Sequence, residues 1–236
     1  MYIRPTLNEE NMPQNGIHAI VGMAARRWMP TKEWLLLGLV LGNMFPDLDN
    51  LAVAYATLTK ADTHGLHRTF THSIFTIAAL VILFYMIAAL TKNPNWRNFG
   101  LGFGIGILMH ILLDLVAWFN GVELLWPIRY ELNLWSWFTM PAWLKIFMDT
   151  GEFLAFGLFF SLLGSLAYRN KTDDARLSTL RAWAYVQFSL FALFTFLFFF
   201  MPGLPLLYTI FGALYLISSI AAIVLTIQMR KTVEMV

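Results

Sequence analysis

Apolar residues in this chain fall in long unbroken runs, separated by short polar punctuation, rather than at alternating or amphipathic-helix spacing. The run from His72 to Leu90 is long enough, at about 1.5 Å per residue, to reach roughly 28 Å, close to the hydrocarbon thickness of a bilayer. Asn98 to Phe119, Ala182 to Met201 and Pro205 to Met229 are comparable or longer. Phe153 to Tyr168 is shorter but uninterrupted and is taken as a fifth span. Each predicts a helix, because inside lipid every backbone N–H and C=O must find its partner within the protein.

Two shorter apolar stretches precede these spans, Ile17 to Ala25 and Trp34 to Phe45. They predict a helical hairpin. A first helix runs from Ile17 to about Trp28, Met29-Pro30-Thr31 turns the chain, and a second helix runs from Lys32 or Glu33 to Pro46. Neither helix needs to cross the whole bilayer. The expected fold is therefore all-α: a polytopic integral membrane bundle of five long spanning helices plus an N-terminal short helical hairpin. Residues 1–236 read as one membrane domain, with chemistry-bearing motifs in 18–127 and scaffold helices in 150–236. Between Gly121 and Phe147 stand Trp126, Trp135, Trp137, Trp143 and Tyr130. That stretch is too broken for a span and reads as an interfacial segment, either a lid over a pocket or a plain aromatic belt.

Composition agrees with lipid as solvent. Charged residues make up 13% of the 236 and hydrophobic ones 58%, against about 25% charged in soluble domains. The formal net charge is +2 with no basic block, which argues against nucleic acid as a partner and leaves the lipid bilayer. The absence of cysteine excludes disulfides, thiolate ligands and a thiol nucleophile. No signal-peptide core is visible in the first thirty residues.

Charge also predicts sidedness. If the hairpin turn carrying Arg26, Arg27 and Lys32 lies in the cytoplasm, alternating spans bring Lys92, Arg97, Arg169, Lys171, Arg176, Arg181, Arg230 and Lys231 to that side. Arg4, Lys60, Arg68, Arg129 and Lys145 are left outside, the bias expected for a multi-pass protein of the inner (plasma) membrane. His18, PDLDN (46–50), HRTFTHS (67–73) and the Asp114 end of its helix then all emerge toward the outer, periplasmic or extracellular, side.

Those four segments hold the candidate chemistry. His110 and Asp114 are one helical turn apart and project from one face within an apolar run, where ionisable groups require a partner, a water-filled cavity or an ion. Imidazole and carboxylate suit a divalent metal such as zinc, although a buried His–Asp hydrogen bond that merely packs helices uses the same pair. Asp47 and Asp49 either bind metal or cap a helix starting near Leu51. His67 and His72 would diverge on a continuous helix, so their segment begins in a loop. Arg68 is placed either to hold an anionic oxygen or to snorkel to the interface, and His64 reads as an exposed histidine. Glu123 is a further ligand or base candidate. Gly100, Gly102, Gly104 and Gly106 form two overlapping G-x-x-x-G pairs, which read as close helix packing that positions His110.

As an ordered set, His18, PDLD (46–49), HR-x-x-THS (67–73), HILLD (110–114) and G-V-x-x-L-W-P (121–127) resemble the YdjM-type family of inner-membrane proteins read as metal-dependent hydrolases. That family is in turn distantly similar to the zinc-dependent phospholipase C and fungal single-strand nuclease superfamily. The resemblance implies one ion held by Asp49 or Asp47, His72 or His67, His110 and Asp114, and a second held by His18 with Asp114 bridging. The superfamily's amino-terminal ligand has no counterpart, and no histidine follows His110. One or two ions are thus implied rather than three. The expected function is metal-dependent hydrolysis of a phosphoester, lipid or otherwise membrane-associated, with Asp47 or Glu123 orienting water and Arg68 facing the phosphoryl charge. The competing readings are an ion or proton transporter using the His/Asp cluster and a non-catalytic membrane interaction protein. H-E-x-x-H is absent, which argues against a zinc protease, and five histidines in this spacing cannot supply a histidine-rich di-iron oxygenase.

Overall fold

A computed structural model describes residues 15–63, 65–119 and 121–235. His64, read above as an exposed histidine, and Arg4, counted in the charge bias, lie outside the described residues. Nine helices are described: α1 (Asn15–Ala25), α2 (Leu35–Met44), α3 (Asn50–Thr59), α4 (Ile74–Thr91), α5 (Asn95–Ala117), α6 (Ala142–Asn170), α7 (Leu177–Phe200), α8 (Pro205–Gln228) and α9 (Arg230–Glu234). The described residues contain no strand beyond an isolated bridge between Val122 and Leu132. Five helices, α4 to α8, are long and apolar enough to cross a membrane. The N-terminal hairpin is present as α1, a 3-10 turn over Arg26–Trp28, and α2.

The helices pack in an order unlike their order in the chain: α4 lies on α5, α5 on α2, α2 on α1, α1 on α6 and α6 on α7, with α8 and α9 touching α2 and α6. Glycines explain how α5 sits between two neighbours. Gly102 and Gly106 face α2, where an added methyl group would overlap the carbonyls of Leu35 and Leu39. Gly100 and Gly104 face α4, where it would meet Phe84 and Val81. The two G-x-x-x-G pairs therefore serve opposite faces of one helix. On α2, Gly38 and Gly42 complete the contact, since a methyl group there would overlap the carbonyls of Phe99 and Phe103. Helix association in lipid has little hydrophobic drive, so this backbone-to-backbone approach supplies the packing.

α6 departs from the expectation. It begins at Ala142, well before Phe153, so Trp143, Lys145 and Phe147 belong to its first turns rather than to the broken aromatic stretch before it. The polar run Asp149-Thr150-Gly151-Glu152 masked the continuity. Asp149 is instead paired one turn back with Lys145 at 3.3 Å, and Thr150 bonds the Ile146 carbonyl and receives the Thr195 hydroxyl. Beyond α8, the short α9 is clamped by Arg26, whose guanidinium donates to the carbonyls of Thr232, Val233 and Met235 at 3.2, 2.8 and 3.1 Å.

Candidate metal centre

α1, the end of α2, the segment leading into α4 and the second half of α5 converge at one end of the bundle. The chain leaves α2 through a 3-10 turn, Pro46–Asp49, in which Pro46 occupies the first position that tolerates it. A second 3-10 turn, Phe70–His72, precedes α4, whose N-cap Ser73 accepts the Phe75 N–H. His67 and His72 are therefore not on a continuous helix, and both rings turn inward.

His18, His72, His110 and Asp114 are at most 1% exposed, and Asp47 is 3% exposed. His110 Nδ1 lies 2.8 Å from the carbonyl oxygen of Asn43, which can only accept, so the ring proton sits on Nδ1 and Nε2 presents a lone pair. His72 is set the same way by two links: the Thr71 hydroxyl donates to Asp49 Oδ2 at 2.8 Å and takes the His72 Nδ1–H at 3.0 Å. The two Nε2 atoms face each other at 3.1 Å. Two lone pairs so placed cannot hydrogen-bond to each other; a shared proton or a metal ion between them satisfies both.

Carboxylate oxygens complete the set. Asp114 Oδ2 is 3.4 Å from His72 Nε2 and 3.6 Å from His110 Nε2, and Asp47 Oδ1 is 3.7 Å from His110 Nε2. A tetrahedral ion with bonds of about 2.0–2.1 Å separates its ligand atoms by about 3.3–3.4 Å, close to the 3.1, 3.4 and 3.6 Å among His72 Nε2, His110 Nε2 and Asp114 Oδ2. The other oxygen of Asp114, Oδ1, meets His18 Nε2 at 3.0 Å. The carboxylate thus faces the His72–His110 pair on one side and His18 on the other. His18 also stacks on His110, ring centroids 3.6 Å apart. Among the described residues, three further groupings have donor atoms close enough to share an ion: His18, His110 and Asp114; Asp47, His72 and His110; Asp47, Asp49 and His67.

Asp49 is mainly an organiser. It takes the His67 Nδ1–H at 2.7 Å, the Thr71 hydroxyl and the Arg68 N–H at 3.2 Å. Burial alone would raise its carboxyl, but attraction to His67 and the hydrogen bonds from His67 and Thr71 hold it below the ordinary value. Asp47 goes the other way: burial pushes it up, with the neighbouring Asp114 charge adding and His18 opposing. His67 Nε2 and Asp47 Oδ2 are buried without hydrogen-bond partners. The Arg68 guanidinium approaches Asp114 Oδ2 at 3.5 Å and leaves Nη1 unpartnered. Its backbone is left-handed, with φ 60°, and its side chain is buried against Asp114 rather than extended to solvent.

Glu123 is placed differently. It contributes its backbone N–H to the Arg68 carbonyl at 3.0 Å, and its carboxylate belongs to none of the three donor groupings. The aromatic loop around it clasps the 67–74 segment: Ile74 N–H reaches the Leu124 carbonyl at 3.0 Å, Ser73 Oγ the Trp126 carbonyl at 2.8 Å, and Phe70 stacks edgewise on Trp126. Trp137 remains 75% exposed, so the far part of the loop faces outward.

Sequence reasoning missed two residues. Asn43, whose carbonyl fixes His110, is a fully buried polar residue in an apolar helix, and its side-chain amide has no partner. Glu152 lies in the helices read as scaffold, yet its Oε2 accepts the Gly16 N–H at 2.6 Å, two residues before His18. In both cases a polar residue inside an apolar run was the available signal.

Fold and site together define a multi-pass α-helical membrane protein whose bundle end encloses a buried His/Asp cluster able to hold a metal ion. The family model of the YdjM inner membrane protein matches residues 14–200, and the chain belongs to that family. No curated protein and no solved structure matches it.

Proposed function

We propose that the chain is a membrane-embedded metal-dependent hydrolase acting on phosphoesters, with its site toward the outer face of the inner membrane. The observation that carries this reading is the pair of imidazole Nε2 atoms held 3.1 Å apart, each ring engaged at its opposite nitrogen by a hydrogen bond. His72, His110, Asp114 and Asp47 would hold the ion, with His18 on the second oxygen of Asp114 and His67 toward Asp47. Zinc suits this nitrogen and oxygen set. Such an ion, when bound, supplies a hydroxide near neutral pH and polarises a phosphoryl oxygen.

The protein's own groups divide the remaining work. The free oxygen of Asp47 is available to orient the attacking water and accept its proton. Arg68 Nη1, buried and unpartnered, is available to a non-bridging phosphoryl oxygen. Glu123 acts through its backbone in holding Arg68. A site inside a lipid-spanning bundle, beneath an aromatic loop, favours a lipid phosphoester as substrate.

Metal analysis of protein purified in detergent, followed by hydrolysis assays on phosphatidic acid, phosphatidylglycerol and a chromogenic phosphodiester, tests the proposal. Wild type should carry a stoichiometric ion and hydrolyse at least one class, and His110→Ala should lose both. Equal metal content in His110→Ala and wild type would overturn the coordination, and a metal-loaded protein inert on every phosphoester would overturn the chemistry.

A further inference from the structure

We propose that Glu152 is a positioning residue of the metal centre, holding the first turn of α1 at the height where His18 meets Asp114. The inference rests on the metal-site reading above. α1 has 11 residues, a length at which an isolated helix has little stability of its own, so its axial position depends on what docks it. Its first N–H groups, which no helix can satisfy internally, find partners on other helices. The Gly16 N–H donates to Glu152 Oε2 of α6 at 2.6 Å, and the Asn15 N–H to the Tyr215 hydroxyl of α8 at 3.2 Å. The Asn15 side-chain amide also donates to Ser219 Oγ. The Glu152 contact is the shorter of the two to the α1 backbone, at the end of the helix that favours an acidic partner.

Gly16 is part of the device. A methyl group there would lie 2.7 Å from the Glu152 carbonyl oxygen, 3.0 Å from its Oε2 and 3.1 Å from Ala155 Cβ. The first turn of α1 thus rests directly on α6. His18 follows two residues later, about 3 Å along the axis, and reaches Asp114 Oδ1 at 3.0 Å. A slide of α1 by about 1 Å, small on the scale of a helical turn, would break that contact. Glu152 is fully buried, and its second oxygen, Oε1, has no partner, so packing alone does not account for a carboxylate here.

The experiment measures zinc affinity of the full chain in detergent, together with the visible spectrum of the cobalt-substituted protein. Glu152→Ala should weaken zinc binding by about tenfold to a hundredfold and alter the cobalt spectrum, as loss of an outer-shell partner does. Glu152→Gln keeps an accepting oxygen and should stay within about threefold of wild type. In His18→Ala the effect should vanish, the double variant binding zinc as the single His18→Ala does. Should Glu152→Ala fail to fold, Gly16→Ala carries the same expectation: reduced affinity with helicity retained. Unchanged affinity in the folded variants, or full additivity with His18→Ala, overturns the positioning role. Absence of any ion in wild type overturns instead the reading on which it rests.

Discussion

Gly106→Ala tests how the fold sets the chemistry, because Gly106 lies one turn before His110 on the α5 face that meets α2. An added Cβ would overlap the Leu39 carbonyl and lie 2.6 Å from Asn43 N and 2.9 Å from Gly42 C, all of them backbone atoms that cannot rotate away. Restoring the Asn43 contact to 3.4 Å, the lower edge of ordinary contact, needs a local separation of 0.8 Å (3.4 − 2.6). Added to the 2.8 Å His110–Asn43 hydrogen bond, that separation gives about 3.6 Å, beyond hydrogen-bond range. Overpacking costs about 1–3 kcal/mol, and rigid backbone atoms put this site at the upper end. The helix-propensity gain of Gly to Ala returns about 1 kcal/mol, so a net loss near 2 kcal/mol is expected. Releasing the His110 ring should also reduce zinc affinity by about tenfold or more. Gly212→Ala is the control: its Cβ would meet nothing within 4 Å, so neither loss should occur. Thermal unfolding in detergent and zinc titration of both variants provide the assay. Wild-type melting and affinity in Gly106→Ala would refute the claim that the α2–α5 approach sets His110.

Asp49→Ala removes the acceptor for His67 Nδ1, Thr71 Oγ1 and the Arg68 N–H at once. It should lower zinc affinity by about tenfold to a hundredfold while the ion stoichiometry of a saturated sample is kept, as equilibrium dialysis would report. Arg26→Ala removes a charged donor from the last carbonyls of the chain, a loss of about 1.5–3 kcal/mol, and protease should then trim residues 230–235 first. Because the chain has no native cysteine, single cysteines report sidedness. Cysteines at the exposed positions Ala61 and Tyr130 should be labelled from outside, and those at Thr91 and Asp174 from inside. Labelling of Ala61 and Thr91 from one side would contradict the proposed orientation.

The spans and the hairpin were legible because lipid imposes a simple condition, an apolar run long enough to cross, and His72–Leu90 or Pro205–Met229 meets it within a few residues of α4 and α8. The N-terminal part of α6 was not legible, since Asp149 and Glu152 look like the end of a span until their partners Lys145 and Gly16 are seen. Convergence of His18, Asp47, His72, His110 and Asp114 followed from span alternation. The division of labour did not: that Asp49 organises the imidazoles depends on side-chain geometry within a 3-10 turn, which no spacing rule encodes. Likewise the glycine pairs signalled close packing, but their assignment to two opposite neighbours required the positions of Phe84 and Leu35.

The brevity of α2 has a bearing on how the protein is made. Ten residues give a rod of about 15 Å, half the apolar thickness of a bilayer, so this segment has no stable berth in lipid by itself. α4, by contrast, has the highest mean hydropathy of the spans and little of it is buried, so it can enter the membrane unaided. The hairpin must therefore wait for α5 to present its glycine face. Asp47, which follows the hairpin, then joins His110 only once insertion is complete, so a half-inserted chain is a chain without its assembled His/Asp cluster.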